Sequence, residues 1–318
     1  MEKRMKIAAL AGGVGGAKLA YGLSKTLSNG QLSIIVNTGD DFELFGLYIS
    51  PDVDTVCYTL AGLANPLTGW GQVDETWEVF QALSRIGGPN WFRLGDHDLA
   101  LHMERTRLLH SGLSLTEVTQ ELCIRMGIKD HVYPMTDQPV RTIVNTVDKR
   151  KLQFQEYFVK EQCIPEVTGF EFSGIEEAKP GFYVIKTLTE ADLIIICPSN
   201  PWVSIDPILK LSGIVEIIKK KIVVAVSPII GGKTIKGPAA KMFLELGIEP
   251  GCFEVANHYK DFLKGFVLDS QDQEEASRVS DLGIIPFVTQ TVMRSMDDRI
   301  RLANEVLEFG MNLFRKGI

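Results

Sequence analysis

The sequence predicts an α/β fold built on a mostly parallel sheet, with a helical segment and a small antiparallel elaboration. Three observations carry this prediction. Strand, helix and strand follow one another within roughly thirty residues of the start, a βαβ unit that makes the sheet parallel and its crossover right-handed. Short apolar runs that end in polar loops recur late in the chain, at Ala191–Ile196, Ile222–Val226, Gly265–Leu268 and Ile284–Val288. Between these two blocks, from Tyr133 to about Lys186, the texture changes to short β-branched runs separated by charged turns, the pattern expected of an antiparallel sheet. At 318 residues the chain exceeds the roughly 250–300 at which single cores stop growing. We therefore expect residues 1–132 and 187–318 to form the α/β core, with 77–127 largely helical, and 133–186 to be the β-rich elaboration.

The first strand, within Met5–Ala11, leads into Gly12-Gly13-Val14-Gly15-Gly16-Ala17-Lys18. Glycines let backbone approach a ligand closely, and the amides at a helix N-terminus favour an anion. A phosphate cradle and a tight strand-to-helix turn without ligand are the two readings. A dinucleotide fingerprint starting at Gly13 requires a third glycine where Lys18 stands. A Walker A loop requires a hydroxyl where Leu19 stands, so neither NAD nor ATP is indicated. Leu19, Leu23 and Leu27 then recur at helical spacing, Asn29-Gly30 ends that helix, and Leu32–Val36 reads as a buried strand.

The second strand runs into Asn37-Thr38-Gly39-Asp40-Asp41, with Asp52 and Asp54 soon after. Ligands in such sheets lie beyond the carboxyl ends of strands. The aspartates form either a polar turn or a hard-cation site, because oxygen ligands suit magnesium bound together with substrate phosphates. Trp77, Phe80 and Leu83 share a helical face expected to be core. In Gly95-Asp96-His97-Asp98, two carboxylates flank a histidine, which reads as a metal site or, more commonly, as a cap for the helix Leu99–Leu109. Ser114 to Glu117 fits a capping box, and Gly127 closes the helix it opens. Arg141–Val147, Leu152–Val159 and Phe182–Ile185 read as strands.

Later, Asp206-Pro207 resembles an N-cap with proline at the first helical position. Gly232-Lys233-Thr234 mimics the end of a Walker A loop, but Ser227 replaces its first glycine, so Ser227–Lys236 reads as a second anion loop. Asp297 is the expected cap of the last helix, on which Leu302, Val306 and Met311 lie at core spacing. The glycine loop, Pro198–Pro201 and Ser227–Lys236 thus follow three strands of one sheet, and the aspartate loop follows a fourth. Anion loops converging with carboxylates suit a polyphosphate substrate held with a cation, as phosphoryl transfer requires.

Composition narrows the classes. A net charge of −7 argues against general affinity for nucleic acid or an anionic membrane. Lys3, Arg4 and Lys6 ahead of apolar residues superficially resemble a signal peptide, but glycines and Lys18 break that apolar run. No segment reaches the ~18 apolar residues of a membrane span. Cys57, Cys123, Cys163, Cys197 and Cys252 are scattered and contain no C-x-x-C, which fits a cytoplasmic protein without a disulfide framework or zinc. No Ser-His-Asp or Cys-His pattern for acyl transfer emerges.

The ordered set of Gly12–Lys18, Asn37–Asp41, Pro51–Thr55 with Tyr58–Gly62, Gly95–Ala100, Met135–Thr142, Pro198–Pro201 and Ser227–Gly232 resembles the 2-phospho-L-lactate transferase family of deazaflavin coenzyme F-420 biosynthesis. The resemblance covers nearly the whole chain. It implies a Rossmann-like fold, a homodimer, a magnesium requirement and two small-molecule substrates. Such enzymes move phospholactate from lactyl-diphosphoguanosine to the ribityl hydroxyl of the deazaflavin Fo, releasing GMP; some relatives use an enolpyruvyl donor. It further implies that Asp54 and Arg93 contact the deazaflavin. Gly13, Gly15, Gly16, Lys18, Ser199, Asn200, Ser227, Gly231 and Gly232 would hold the nucleotide and its phosphates. Asp40, Asp41 and Asp54 are the candidates for binding magnesium, with Asp40 and Asp54 the catalytic candidates, one accepting the hydroxyl proton. His97 stands where this family more often has arginine and receives no role. A competing class is a nucleotide-sugar-binding regulatory protein of the related gluconeogenesis-factor type. Those proteins carry a Gly/Ser-rich segment after the paired aspartates, where this chain has Phe42-Glu43-Leu44-Phe45-Gly46.

Overall fold

In the computed structural model, which describes residues 5–317, seven strands form one parallel sheet. They are Ile7–Ala11 (β1), Leu32–Val36 (β2), His131–Pro134 (β3), Leu193–Ile196 (β4), Ile222–Val226 (β5), Gly265–Asp269 (β6) and Ile285–Thr289 (β7). Their spatial order is β7-β6-β5-β4-β1-β2-β3, and every neighbouring pair is parallel. Lys3 and Arg4 lie outside the described residues.

The apolar runs are continuous because both sheet faces are covered. Along β1, Ile7, Ala9 and Ala11 face one side and Ala8 and Leu10 the other, the period of two that a strand imposes. On the first side lie Gly13–Thr26 (α1), Pro51–Ala61 (α2) and the C-terminal helix Met296–Lys316 (α5), contributing Leu19, Leu23, Val53, Leu302 and Val306. Each such buried leucine or valine contributes about 1.5–3 kcal/mol. The other face is covered by shorter helices through Val184, Leu188, Ile208, Ile218 and Phe243. Asp96–His110 (α3) and Leu115–Arg125 (α4) precede β3. No helix among the described residues is long and apolar enough to cross a membrane.

Several expectations are corrected. Helix α1 begins at Gly13, inside the glycine run, and ends at Thr26, with Gly30 in a left-handed turn beyond it. Within the elaboration, Arg141–Thr146 pairs antiparallel with Lys151–Gln153 and with Val167–Ser173, a strand the sequence did not reveal. The expected strand over Leu152–Val159 stops at Gln153 and passes into a π-helical turn, Glu156–Lys160. Phe182–Ile185 is the start of a helix, Phe182–Glu190, because Val184 and Leu188 at i and i+4 both seek the core.

The helix carrying Phe80 and Leu83, Glu78–Arg85, has no buried residue, so this face is not core. Ser295, not Asp297, caps α5 through a capping box with Asp298. The turn before Asp206 already coils from Pro201, capped by the Asn200 side chain, so Asp206 lies inside helical structure. Asp96 caps the preceding helix, accepting from the amides of Glu78 and Val79, while Glu75 accepts from His97 and Asp98 at the start of α3. The two helix starts therefore exchange caps across a loop.

Candidate active site

Strands β5, β4, β1 and β2 are adjacent, and the four polar loops leave their carboxyl ends side by side. The glycine loop is pressed against its neighbours. A Cβ at Gly15 would lie 2.2 Å from the Pro198 carbonyl oxygen, one at Gly16 2.6 Å from Ser199 Oγ, and one at Gly12 2.6 Å from Asp52 Oδ2. Gly13 takes a left-handed φ of 57°. Ser199 Oγ clasps the loop, accepting from the Gly12 amide at 3.1 Å and donating to the Gly12 carbonyl at 2.7 Å. The glycines at 12, 15 and 16 are thus required by loop-to-loop contact. The close backbone approach expected for a ligand is made by protein at Gly15 and Gly16.

The carboxylates differ in their partners. Asn37 Nδ2 bridges Asp52 Oδ2 at 2.9 Å and Asp40 Oδ1 at 3.4 Å, and Asp52 also accepts from the Gly13 amide. Gln155, from the elaboration, donates to Asp40 Oδ2 at 2.8 Å. Burial, with Asp52 and then Asp41 nearby, holds the Asp40 carboxyl well above the usual carboxylate range. Burial likewise raises Asp52 to about 6. Asp41 is raised to about 7 by burial, against the opposing pull of Arg141. Its oxygens are already taken by the hydroxyls of Tyr48 and Ser50, each at 2.8 Å.

Asp54 is bound by Arg105 through both guanidinium nitrogens, and His102 Nδ1 lies 3.7 Å away. Asp54 and Arg105 are both buried. Among the described residues no group of three or more His, Cys, Asp or Glu side chains is set to hold a metal. Asp41 and Asp54 each have close protein partners, whereas Asp40 lies beside Asp52, on the first turn of α2, across the Asn37 side chain.

The remaining predicted residues separate into fastened and available groups. Ser227 Oγ turns back on Ile229, and the Gly231 amide donates to both Asp272 oxygens, at 2.9 and 3.1 Å. Gly232 follows in a left-handed conformation. Asn200 uses its carbonyl oxygen on the amides of Trp202 and Val203. Lys18 donates to the Met293 carbonyl at 3.1 Å, and burial, then Arg299 and Lys236, lower its proton affinity. Those three cations form a positive patch beside the glycine loop; Arg299, 281 positions from Lys18 in sequence, could not be anticipated there. Arg93 lies over Trp77 at 4.4 Å and lines a pocket with Asp54, Trp70, Phe92, Tyr58 and Asp98.

This geometry meets what the chain resembles. The family model described as 2-phospho-L-lactate transferase CofD matches residues 7–296. The chain belongs to the 2-phospho-L-lactate transferase family. It is 41% identical over 305 residues to a 2-phospho-L-lactate transferase of Methanopyrus kandleri, covering 95% of this chain and 97% of that one. It is 40% identical over 306 residues to the Methanocaldococcus jannaschii protein of the same name, with the same coverage. A protein of Streptomyces coelicolor named phosphoenolpyruvate transferase is 39% identical over 310 residues, again covering 95% and 97%. Relatives bearing the two different names are thus about equally similar to the chain. A crystal structure of a UPF0052 family member from Bacillus halodurans shares the fold, with a TM-score of 0.63 over 96% of this chain and 100% of that one at 16% identity. The family and its named relatives make the protein a transferase, and its α/β, Rossmann-like architecture is as the sequence predicted.

Proposed function

We propose that this protein is a 2-phospho-L-lactate transferase acting on Fo and lactyl-diphosphoguanosine to give the phospholactyl ester of Fo and GMP. The observation that carries the reading is the junction of two surfaces around α2. On one side, the aspartate loop meets the glycine loop, with Lys18, Lys236 and Arg299 beside it. On the other, Asp54 and Arg93 line an aromatic-walled pocket that suits a flat acceptor.

The reaction is a single displacement. The ribityl oxygen of Fo attacks the phosphorus that carries the lactyl group. The bond from that phosphorus to the bridging oxygen breaks, and GMP leaves with the electron pair. The hydroxyl proton passes to a carboxylate, for which Asp40, in its ionised form, is the candidate acceptor. Lys18, Lys236 and Arg299 supply the positive field for the diphosphate. The α1 N-terminus, already accepted by Asp52 at its first amide, points its dipole at the same place.

Asp40 and Asp52 fit a magnesium ion, being two crowded, buried carboxylates with an all-oxygen donor set. When bound, the ion would neutralise charge on the donor phosphates. Arg105 would fix Asp54 so that it shapes the acceptor pocket instead of binding metal. The protein would work as a homodimer in the cytoplasm.

The deciding experiment is incubation with Fo, magnesium and either the lactyl or the enolpyruvyl guanosine donor, with mass detection of products. Donor-dependent formation of the phosphodiester and of GMP is expected. Absence of product with both donors, together with thermal protection by UDP-sugars alone, overturns the reading in favour of a nucleotide-sugar-binding regulator.

A further inference from the structure

The pocket beside Asp54 contains two polar atoms that the fold leaves unpaired. Tyr58, on α2, is 2% exposed, and Asp98, in the first turn of α3, is 8% exposed. The two groups are close enough for each to perturb the other's proton affinity. They approach each other as a hydrogen-bonding pair but short of full hydrogen-bond geometry, and neither Tyr58 Oη nor Asp98 Oδ1 has another partner among the described residues. Buried polar groups are almost always paired, and an orphan calls for a missing partner. Here two orphans line the same pocket.

Apart from Thr55 and from Arg93, which lies over Trp77, the rest of the pocket is apolar or already paired. Ile49, Trp70, Phe92 and Leu94 form its walls. Asp54 is neutralised by Arg105, and Arg105 also contacts His102 Nδ1 at 3.1 Å. Asp98 is held from behind, because its amide donates to Glu75 Oε1 at 2.8 Å. An apolar slot with a few convergent polar groups is the usual form of a small-ligand site, and rigid helices make those groups a fixed template.

Resting on the acceptor reading above, we propose that Tyr58 and Asp98 are specificity-determining residues that read the polar edge of a pyrimidinedione ring. The Tyr58 hydroxyl donates to a ring carbonyl, and Asp98 Oδ1 accepts from the adjacent ring N–H. The walls take the flat faces of the ring. The deazaflavin of Fo presents such an imide edge; guanine presents a related N–H/C=O edge. The acceptor is favoured because the pocket is lined from Ile49, α2, α3 and the segment between the two helices, and by none of the glycine, Pro198–Pro201 or Ser227–Lys236 loops.

The test compares wild type with Tyr58→Phe, Asp98→Asn and the double variant, using Fo, its N3-methyl analogue, lumazine and GDP as probes. Each single variant is expected to raise the KM for Fo about tenfold or more. The KM for the donor and the kcat at saturation stay within about threefold, a split that general loosening of the fold would not give. Wild type should bind the N3-methyl analogue at least tenfold more weakly than Fo, and the double variant should not discriminate. Unchanged Fo binding in both variants, or equal binding of the methylated analogue by wild type, overturns the proposal. Weakened GDP binding with unchanged Fo binding assigns the pocket to guanine and overturns it too. If wild type fails to bind Fo yet binds lumazine in a Tyr58- and Asp98-dependent way, the polar-edge assignment stands and the acceptor reading falls. Binding of neither ring overturns both.

Discussion

At Gly15 the absent Cβ makes room for the Pro198 carbonyl, and at Gly16 for Ser199 Oγ. At Asp40 and Asp52, two carboxylates share one asparagine in a place where burial opposes the ionisation of both and Asp52 further opposes that of Asp40. The two regions meet, since Asp52 lies against Gly12 and accepts from the Gly13 amide. The glycine loop satisfies its contacts within the chain and holds loops together. The carboxylates are left in an environment that penalises their charged form. Groups that strain the fold point to chemistry more directly than a loop rich in glycine does. The contrast has a measurable consequence: changes in the loop should cost stability, and changes at the strained carboxylates should cost activity while sparing or improving stability.

The largest expected effect is at Asp40. Asp40→Asn removes the proposed proton acceptor and one side of the cation site, and turnover should fall by roughly 10²–10⁴-fold. The melting temperature should hold or rise, because a neutral amide suits this buried position and Gln155 can still pair with it. Steady-state rates beside thermal unfolding curves measure both halves; a variant with near-normal turnover would remove Asp40 from the mechanism.

Asp54 belongs to the opposite class, although it sits only two residues from Asp52 on α2. Its bidentate pairing with Arg105 is internal and buried, and breaking one half strands the other charge. Arg105→Ala should cost about 3–5 kcal/mol, read by denaturant unfolding. Arg105→Met combined with Asp54→Asn should recover much of this loss, since no isolated charge remains. Equal instability of the single and double variants would show that packing, not charge pairing, sets the effect.

Gly15→Ala tests the loop itself. The added methyl meets backbone, which cannot swing aside as a side chain does, so a loss of about 1–3 kcal/mol is expected. Gly16→Ala meets Ser199 Oγ, and Ser199→Ala should relieve part of its cost. A tolerated alanine at Gly15 would mean that the Pro198 loop is free to move and that the loop retains space for a ligand.

This division could be read only partly from sequence. The strands of the sheet were legible because Ile7–Ala11, Leu32–Val36, Leu193–Ile196 and Ile222–Val226 are short, almost wholly apolar runs, which burial on both faces demands. Val167–Ser173 escaped notice because Gly169 and Glu171 interrupt its pattern at an exposed edge. Phe182–Glu190 misled because its first residues, Phe, Tyr, Val and Ile, carry strand propensity, and the tertiary core overrode it. The aspartates announced themselves by crowding, but their sorting depended on residues far away in sequence. Arg105 claims Asp54, Tyr48 and Ser50 claim Asp41, and Gln155 reaches Asp40 from the elaboration. Asp96 turned backwards to cap the earlier helix, which local capping rules do not encode.

The smallest effect offers the finest test of the contrast. Burial, with Asp54 and Glu75 nearby, raises the Asp98 carboxyl from 3.8 to about 7 in the folded state, against the lowering influences of Tyr58 and Arg105. The folded protein therefore holds this proton more tightly than the unfolded chain. The stability it contributes is fully present below about pH 4 and is lost as pH rises towards 7. Asp98→Asn cannot lose a proton, so it escapes that loss. The variant should match wild type near pH 4 and become progressively more stable than it up to pH 8, by roughly 2–4 kcal/mol, or several degrees in melting temperature. Subtracting the two pH profiles cancels opposing groups such as His102, which burial lowers to about 4. A pH-independent difference would show that Asp98 ionises as freely as in the unfolded chain, and would place it with the fastened residues of the glycine loop. A widening difference, together with weaker binding of Fo, would place it with the strained carboxylates, whose cost to the fold is offset only when a ligand pairs with them.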